Sequence, residues 1–147
     1  LKLKIVYHNR KKKNSPHKYF ASLTDLAHNS DILLCILPGG QDTERVINAE
    51  VLKALGPTGI FINIGRGTSV DENSLIEFLA HEKIAAAGLD VYAKEPSIPQ
   101  ALRELDNTVL LPHIGSATIE TRDAMGDLVL KNLEAFFSKN ELVTEVK

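Results

Sequence analysis

Five unbroken apolar runs, separated by segments of helical character, constrain this chain more than any other feature. The runs are "LKIVY" (3–7), "DILLCIL" (31–37), "GIFINI" (59–64), "IAAAGLDV" (84–91) and "NTVLL" (107–111). The second stops at Pro38-Gly39-Gly40, the third at Gly65 and the fifth at Pro112. A half-wet strand alternates apolar and polar residues. A continuous apolar run instead suits a strand covered on both faces, as in a parallel sheet.

The intervening segments carry helix punctuation. "SLTDLAHNS" opens at Ser22 with Asp25 three residues on. "NAEVLKALG" runs from Asn48 to Gly56, an N-cap and a C-terminal glycine. "SVDENSLIEFLAHEK" (69–83) has Ser69 and Glu72 in capping-box spacing and an apolar stripe of Leu75, Ile76, Phe78 and Leu79. The longest segment, 118–138, repeats Met125, Leu128, Val129, Leu133, Phe136 and Phe137 at intervals of three and four. Strands alternating with helices through short links predict an α/β fold, a doubly wound parallel sheet of Rossmann-like type. No internal repeat interrupts this plan.

Composition excludes several classes. Hydrophobic content of 44% and charged content of 24% are those of a globular domain. No apolar run is long enough to span a bilayer, so no membrane partner is expected. The opening "LKLKIVYHNR" does not read as a signal peptide. The lone Cys35 offers neither a disulfide framework nor a metal site, and it fits a reducing, cytoplasmic setting. The net charge of −2 hides an asymmetry: residues 1–24 hold seven Lys/Arg and no acid, and the remainder holds ten Lys/Arg against nineteen Asp/Glu. The basic run "NRKKK" (9–13) is read either as a solvated loop or as an anion site. The acidic remainder argues against nucleic acid.

In doubly wound sheets, ligands bind outside the carboxyl ends of the strands. Arg10, Pro38, Arg66, Asp90 and His113 all fall at or just past such ends. Singly, each has an ordinary explanation: a turn arginine, a capping aspartate, a core or capping histidine. Arg66, Glu95 and His113 together support a definite chemistry. A histidine titrates near neutrality and can protonate a carbonyl oxygen. A carboxylate beside it favours the imidazolium and fixes its tautomer. An arginine supplies a planar fork for a carboxylate. None of the three can donate a hydride, so reduction of an oxo acid would need a cofactor. Gly65-Arg66-Gly67 begins like a dinucleotide glycine loop, but Val70 stands where its third glycine would be. It is read as a tight turn.

The stretch from Asp31 to Pro96, followed by "LLPHIGSAT", resembles the D-isomer-specific 2-hydroxyacid dehydrogenases, and most nearly their NADP-dependent glyoxylate/hydroxypyruvate reductase branch. The motifs "NIGRG", "GLDVY" with "EP", and "LPHIGSAT" carry the resemblance. It implies an enzyme that reduces a small 2-oxo acid to a D-2-hydroxy acid. Arg66 would bind the substrate's carboxylate and carbonyl, and His113, paired with Glu95, would donate the proton. It implies further that Asp90 holds the nicotinamide amide and that Ile64 and Gly65 lie along the nicotinamide ribose. Pro38 and Thr43 would line the adenosine side, and Gly115, Arg66 and His113 would also contact the cofactor. Asn9, Arg10 and Lys11 would receive a 2′-phosphate, because Asn9 stands where NAD-specific members place an acid. NADP is therefore expected over NAD.

The same resemblance implies a homodimer for the full-length enzyme. It also makes residues 1–147 a partial NAD(P)-binding domain, with the first strand, glycine loop and substrate domain expected before Leu1. Dehydrogenase activity is not expected of these residues alone. The alternative is a non-catalytic nucleotide-sensing protein on the same scaffold. No metal is expected in either case.

Overall fold

A computed structural model describes residues 3–145. They form two compact units divided after Pro112. The first contains six strands: β1 (Val6–His8), β2 (Lys18–Phe20), β3 (Ile32–Cys35), β4 (Ile60–Asn63), β5 (Ala86–Leu89) and β6 (Thr108–Leu110). Its helices are α1 (Leu23–His28), α2 (Ala49–Leu55), α3 (Glu72–Ala80) and α4 (Gln100–Arg103). Short 3-10 turns occupy Gln41–Thr43 and Gly67–Ser69.

Every strand pairing is parallel, as the apolar runs predict. The strands form two sheets, β1-β2 and β3-β4-β5-β6. Ile32 pairs with Ile60, and Ile60 with Ala86, in register. Among the described residues, no strand pairs with the outer edge of β3.

Burial corrects one expectation. The strands were read as covered on both faces, but only one face is. Leu33, Cys35, Phe61, Asn63, Ala87 and Leu89 point into the core, whereas Ile32, Leu34, Ile60 and Val109 are exposed. The buried face meets α1, α2 and α3 through Leu26, Leu52, Leu55, Leu75 and Leu79. The opposite face is equally apolar in sequence, which is why the runs look continuous.

Helix punctuation held at most termini. Ser22 Oγ accepts from the Asp25 N–H at 3.1 Å, and Asn48 Oδ1 accepts from the N–H groups of Glu50 and Val51, both at 3.1 Å. Gly56 closes α2 with φ +78°, a value that suits glycine. The capping box over Ser69 and Glu72 does not form. Helix α3 starts at Glu72 after Asp71, and both expected box members serve the loops described below. The first strand also differs: residues 3–7 were expected, but pairing covers Val6–His8. Strand β2 was not foreseen. Its three residues are too few to show a period, and it is held by Tyr19 against Tyr7, with ring centroids 5.4 Å apart.

The second unit is built on one helix, α5 (Ile119–Lys139), close to the expected 118–138. Thr118 Oγ1 accepts from the Thr121 N–H at 3.2 Å, and Asn140 ends the helix in the left-handed region at φ +54°. No described residue of α5 is buried despite its apolar stripe. Among the described residues, no helix is long and apolar enough to cross a membrane.

Candidate functional site

The turn after β4 is built around Asn63, a polar residue only 1% exposed. Its Oδ1 accepts from the Gly65 N–H at 3.1 Å, and its Nδ2 donates to the Arg66 carbonyl at 3.1 Å. Ser69 Oγ donates to the same carbonyl at 2.6 Å, and Cys35 Sγ lies 3.4 Å from that hydroxyl. The backbone of Arg66 is thus fixed from two sides while its side chain stands exposed. Arg66 Nη1 donates to the Gly65 carbonyl at 2.7 Å.

The flanking glycines allow close approach of chain to chain. A Cβ on Gly65 would lie 2.6 Å from the Leu37 carbonyl oxygen, and one on Gly67 only 1.9 Å from the Tyr92 carbonyl carbon. Gly65-Arg66-Gly67 is therefore a tight turn, as read from the missing third glycine. The second contact also joins the Arg66 turn to the loop that carries Glu95.

That loop leaves β5 at Asp90, which is buried at 6% exposure and whose N–H donates to the Asn63 carbonyl at 3.0 Å. The Tyr92 hydroxyl lies 2.9 Å from the Leu111 carbonyl oxygen and 3.2 Å from that of Leu89, so it ties the ends of β5 and β6. Burial, and next the Asp90 carboxylate, raise the Tyr92 phenol above its ordinary value of 10.0. Glu95 Oε1 accepts from the Tyr92 N–H at 3.1 Å. Glu72 Oε2 accepts from the Ala93 N–H at 3.2 Å, so the first residue of α3 pins the same loop. Nothing in the sequence marked Glu72 for this role, because the capping-box pattern offered it a local partner.

A third group forms beyond β1 and β3. The Asn9 carbonyl accepts from the Tyr19 hydroxyl at 3.0 Å, and Arg10 Nη1 meets Asp42 Oδ2 at 2.8 Å. Arg10 and residues 38–43 line a cleft of about 340 Å³. Thr43 Oγ1 donates to the Pro38 carbonyl at 2.6 Å, which closes the turn after β3. Lys11 and Ile64 are exposed near these strand ends. Asp42 was not singled out in the sequence, although an acid two residues after Gly40 was its signal.

His113 and Gly115 belong to the second unit. His113 lies three residues past β6 in the chain and adopts φ +56°. Few residues other than glycine take that conformation, and such outliers concentrate at functional positions. The first unit therefore joins the Arg66 turn to the Asp90–Glu95 loop and places Arg10, Pro38 and Thr43 around one cleft.

Residues 1–115 match the model of the D-isomer specific 2-hydroxyacid dehydrogenase NAD binding domain. The chain belongs to the D-isomer specific 2-hydroxyacid dehydrogenases. Arg66, Asp90, Glu95, His113 and Gly115 all lie within the matched span. Hydroxyphenylpyruvate reductase of Plectranthus scutellarioides is 50% identical over 143 residues, 97% of this chain and 46% of that protein. Glyoxylate/hydroxypyruvate reductase A of Arabidopsis thaliana is 48% identical over 143 residues, again 97% of this chain and 46% of that protein. Among solved structures, an NADPH-dependent glyoxylate/hydroxypyruvate reductase from Sinorhizobium meliloti, in complex with NADP and malonate, has a TM-score of 0.96 and 45% identity; the match covers 99% of this chain and 46% of that one. The chain spans about half the length of these dehydrogenase relatives. Its parallel strands with flanking helices are the Rossmann-like arrangement of these neighbours.

Proposed function

We propose that this domain forms the cofactor and catalytic half of an NADPH-dependent reductase that converts a small 2-oxo acid, of the glyoxylate or hydroxypyruvate type, to a D-2-hydroxy acid. The observation that carries the reading is the doubly anchored Arg66 turn, joined through Gly67 to the loop bearing Glu95, in a chain of this family. A fixed backbone beneath an exposed guanidinium, one nitrogen of which is held by the Gly65 carbonyl, is what substrate positioning needs. A nucleotide sensor would need cofactor contacts but no such clamp.

The roles are as follows. Arg66 holds the substrate's carboxylate and carbonyl through its planar fork. His113 delivers a proton to the carbonyl oxygen, and Glu95 serves as its carboxylate partner. The bound nicotinamide supplies the hydride. Asp90, Ile64, Gly65 and Gly115 serve the nicotinamide side, and Pro38 and Thr43 the adenosine side. Asn9, Arg10 and Lys11 receive the 2′-phosphate.

The donor set fits a phosphorylated cofactor. The Arg10 cleft has a guanidinium on one wall and the side-chain-free Gly39-Gly40 on another, with open space where a Gly40 Cβ would stand. The Sinorhizobium neighbour is described as NADPH-dependent and bound to NADP, which supports the same choice here. All three relatives are named as reductases of 2-oxo acids, and the Arabidopsis and Sinorhizobium proteins support the glyoxylate or hydroxypyruvate type. The proposal includes a longer polypeptide that supplies the glycine loop, the first strand and a substrate domain, working as a cytoplasmic homodimer. Residues 1–147 alone would lack the phosphate cradle at a helix N-terminus.

The test is His113→Ala in that full-length enzyme. Loss of general acid catalysis lowers kcat by about 10²- to 10⁴-fold, while binding of NADPH weakens far less. Unaltered turnover would remove His113 from the mechanism.

A further inference from the structure

We propose that Asp42 is a built-in competitor for the cofactor's 2′-phosphate. Its carboxylate engages the Arg10 guanidinium, so a phosphorylated ribose binds by exchanging one anionic partner of Arg10 for another. Asp42 thereby sets how sharply the site separates NADPH from NADH. This inference rests on the proposed assignment of NADPH and adds a specificity residue to it.

The geometry is specific. Arg10 lies two residues past β1, and Asp42 sits in the turn that follows β3. They are 32 residues apart, yet meet at 2.8 Å across the cleft they both line. A second ion pair, Lys83–Glu77, is by contrast local to the end of α3. Arg10–Asp42 therefore joins two separate strand ends at the mouth where an anion would enter. Strand β1 ends at His8 and the neutral Asn9 follows it, so the acid at this site stands on the facing wall.

Chemistry decides the direction of the effect. A 2′-phosphate approaching Arg10 loses the benefit of the existing pair and meets the Asp42 charge directly. An unphosphorylated ribose carries no charge and leaves the pair closed. Asp42 thus weakens binding of the phosphorylated cofactor and is neutral toward the other. The effect is modest, because the two side chains are 80% and 76% exposed. Exposed pairs of this kind contribute little, and the corresponding change in affinity is about two- to fivefold. Charge between exposed groups is screened by salt, so the effect shrinks as salt rises.

The experiment measures dissociation constants in the full-length enzyme, by nicotinamide fluorescence for NADPH and NADH and by calorimetry for adenosine 2′,5′-bisphosphate. Wild type is compared with Asp42→Asn, Arg10→Ala and the double variant. Asp42→Asn should tighten NADPH and the bisphosphate by about two- to fivefold at low salt and leave NADH unchanged. The gain should vanish when Arg10 is also removed. Asp42→Ser serves as a second variant and should show the same gain. If Arg10→Ala loosens NADPH but neither Asp42 variant tightens it, the competitor role is overturned and the NADPH assignment stands. A gain that persists without Arg10 also overturns it. If wild type binds both cofactors alike and Arg10→Ala changes neither, the NADPH assignment fails and the inference fails with it.

Discussion

Gly67→Ala tests the junction on which the site depends. Gly67 lies in the 3-10 turn Gly67–Ser69, where alanine would ordinarily be welcome. On propensity alone, the change would stabilise by up to about 1 kcal/mol. Sterics oppose this. The new Cβ would stand 1.9 Å from the Tyr92 carbonyl carbon, 2.0 Å from its oxygen and 2.5 Å from the Ala93 nitrogen. These are backbone atoms with no rotamer to change, so one of the two loops must move by more than about 1 Å. Overpacking of this kind costs about 1–3 kcal/mol and occasionally more, and it exceeds the propensity gain. At about 2–4 °C per kcal/mol for a domain of this size, calorimetry should show Tm lowered by several degrees. The displaced segment holds Glu95 on one side and Arg66 on the other. A misplacement near 1 Å costs about 10²-fold in rate, so kcat/KM should fall by about two decades in the full-length enzyme. An unchanged Tm with unchanged kcat/KM would refute the claim that Gly67 and Tyr92 are in backbone contact.

Two further outcomes follow from the same structure. Wild-type enzyme should prefer NADPH over NADH at least tenfold in kcat/KM, from one or two charge-assisted hydrogen bonds of about 1.5–3 kcal/mol each; Asn9→Asp with Arg10→Ala should reverse that preference, and equal use of both cofactors by wild type would make the basic run a solvated loop. Tyr92 ionises later in the folded chain than in the unfolded one, because burial and then Asp90 raise its pKa above 10.0. As pH climbs through that window the unfolded state loses its proton first, so stability present below about pH 10 is lost above it; Tyr92→Phe should remove the latest phenolate absorbance rise and flatten the alkaline fall in Tm, and an unaltered titration would contradict the assignment.

The sequence announced those parts of the fold that depend on local chemistry. Ser22, Asn48, Gly56 and Thr118 cap helices because their side chains, or the lack of one, satisfy neighbouring backbone groups. The parallel sheet was legible because Ile32–Cys35, Ile60–Asn63 and Ala86–Leu89 are apolar on both faces. That same signal concealed which face the helices cover. Ile32 and Leu33 read alike in sequence, yet only Leu33 is buried. Arg10, Arg66 and Asp90 fall just past the ends of β1, β4 and β5, as their place in the sequence predicted. Long-range partners were not legible. Ser69 and Glu72 were read as capping each other's turn, but Ser69 bonds Arg66 and Glu72 bonds Ala93, 21 residues away. Asp42 meets Arg10 across 32 residues of chain, a partnership that no spacing rule contains. The contact of the Tyr92 hydroxyl with Leu111 exists only once β5 and β6 pair.

The central claim is hydride transfer to a small 2-oxo acid. The most direct measurement supplies the full-length enzyme with NADPH deuterated at the transferable position of its nicotinamide ring, together with glyoxylate or hydroxypyruvate. Mass spectrometry then locates the label. The account predicts one deuterium on the carbon that was the ketone or aldehyde carbon, with stoichiometric loss of NADPH absorbance, and no transfer in Arg66→Ala or His113→Ala above about a hundredth of the wild-type rate. An unlabelled product, or no oxidation of NADPH by any small 2-oxo acid, would contradict it.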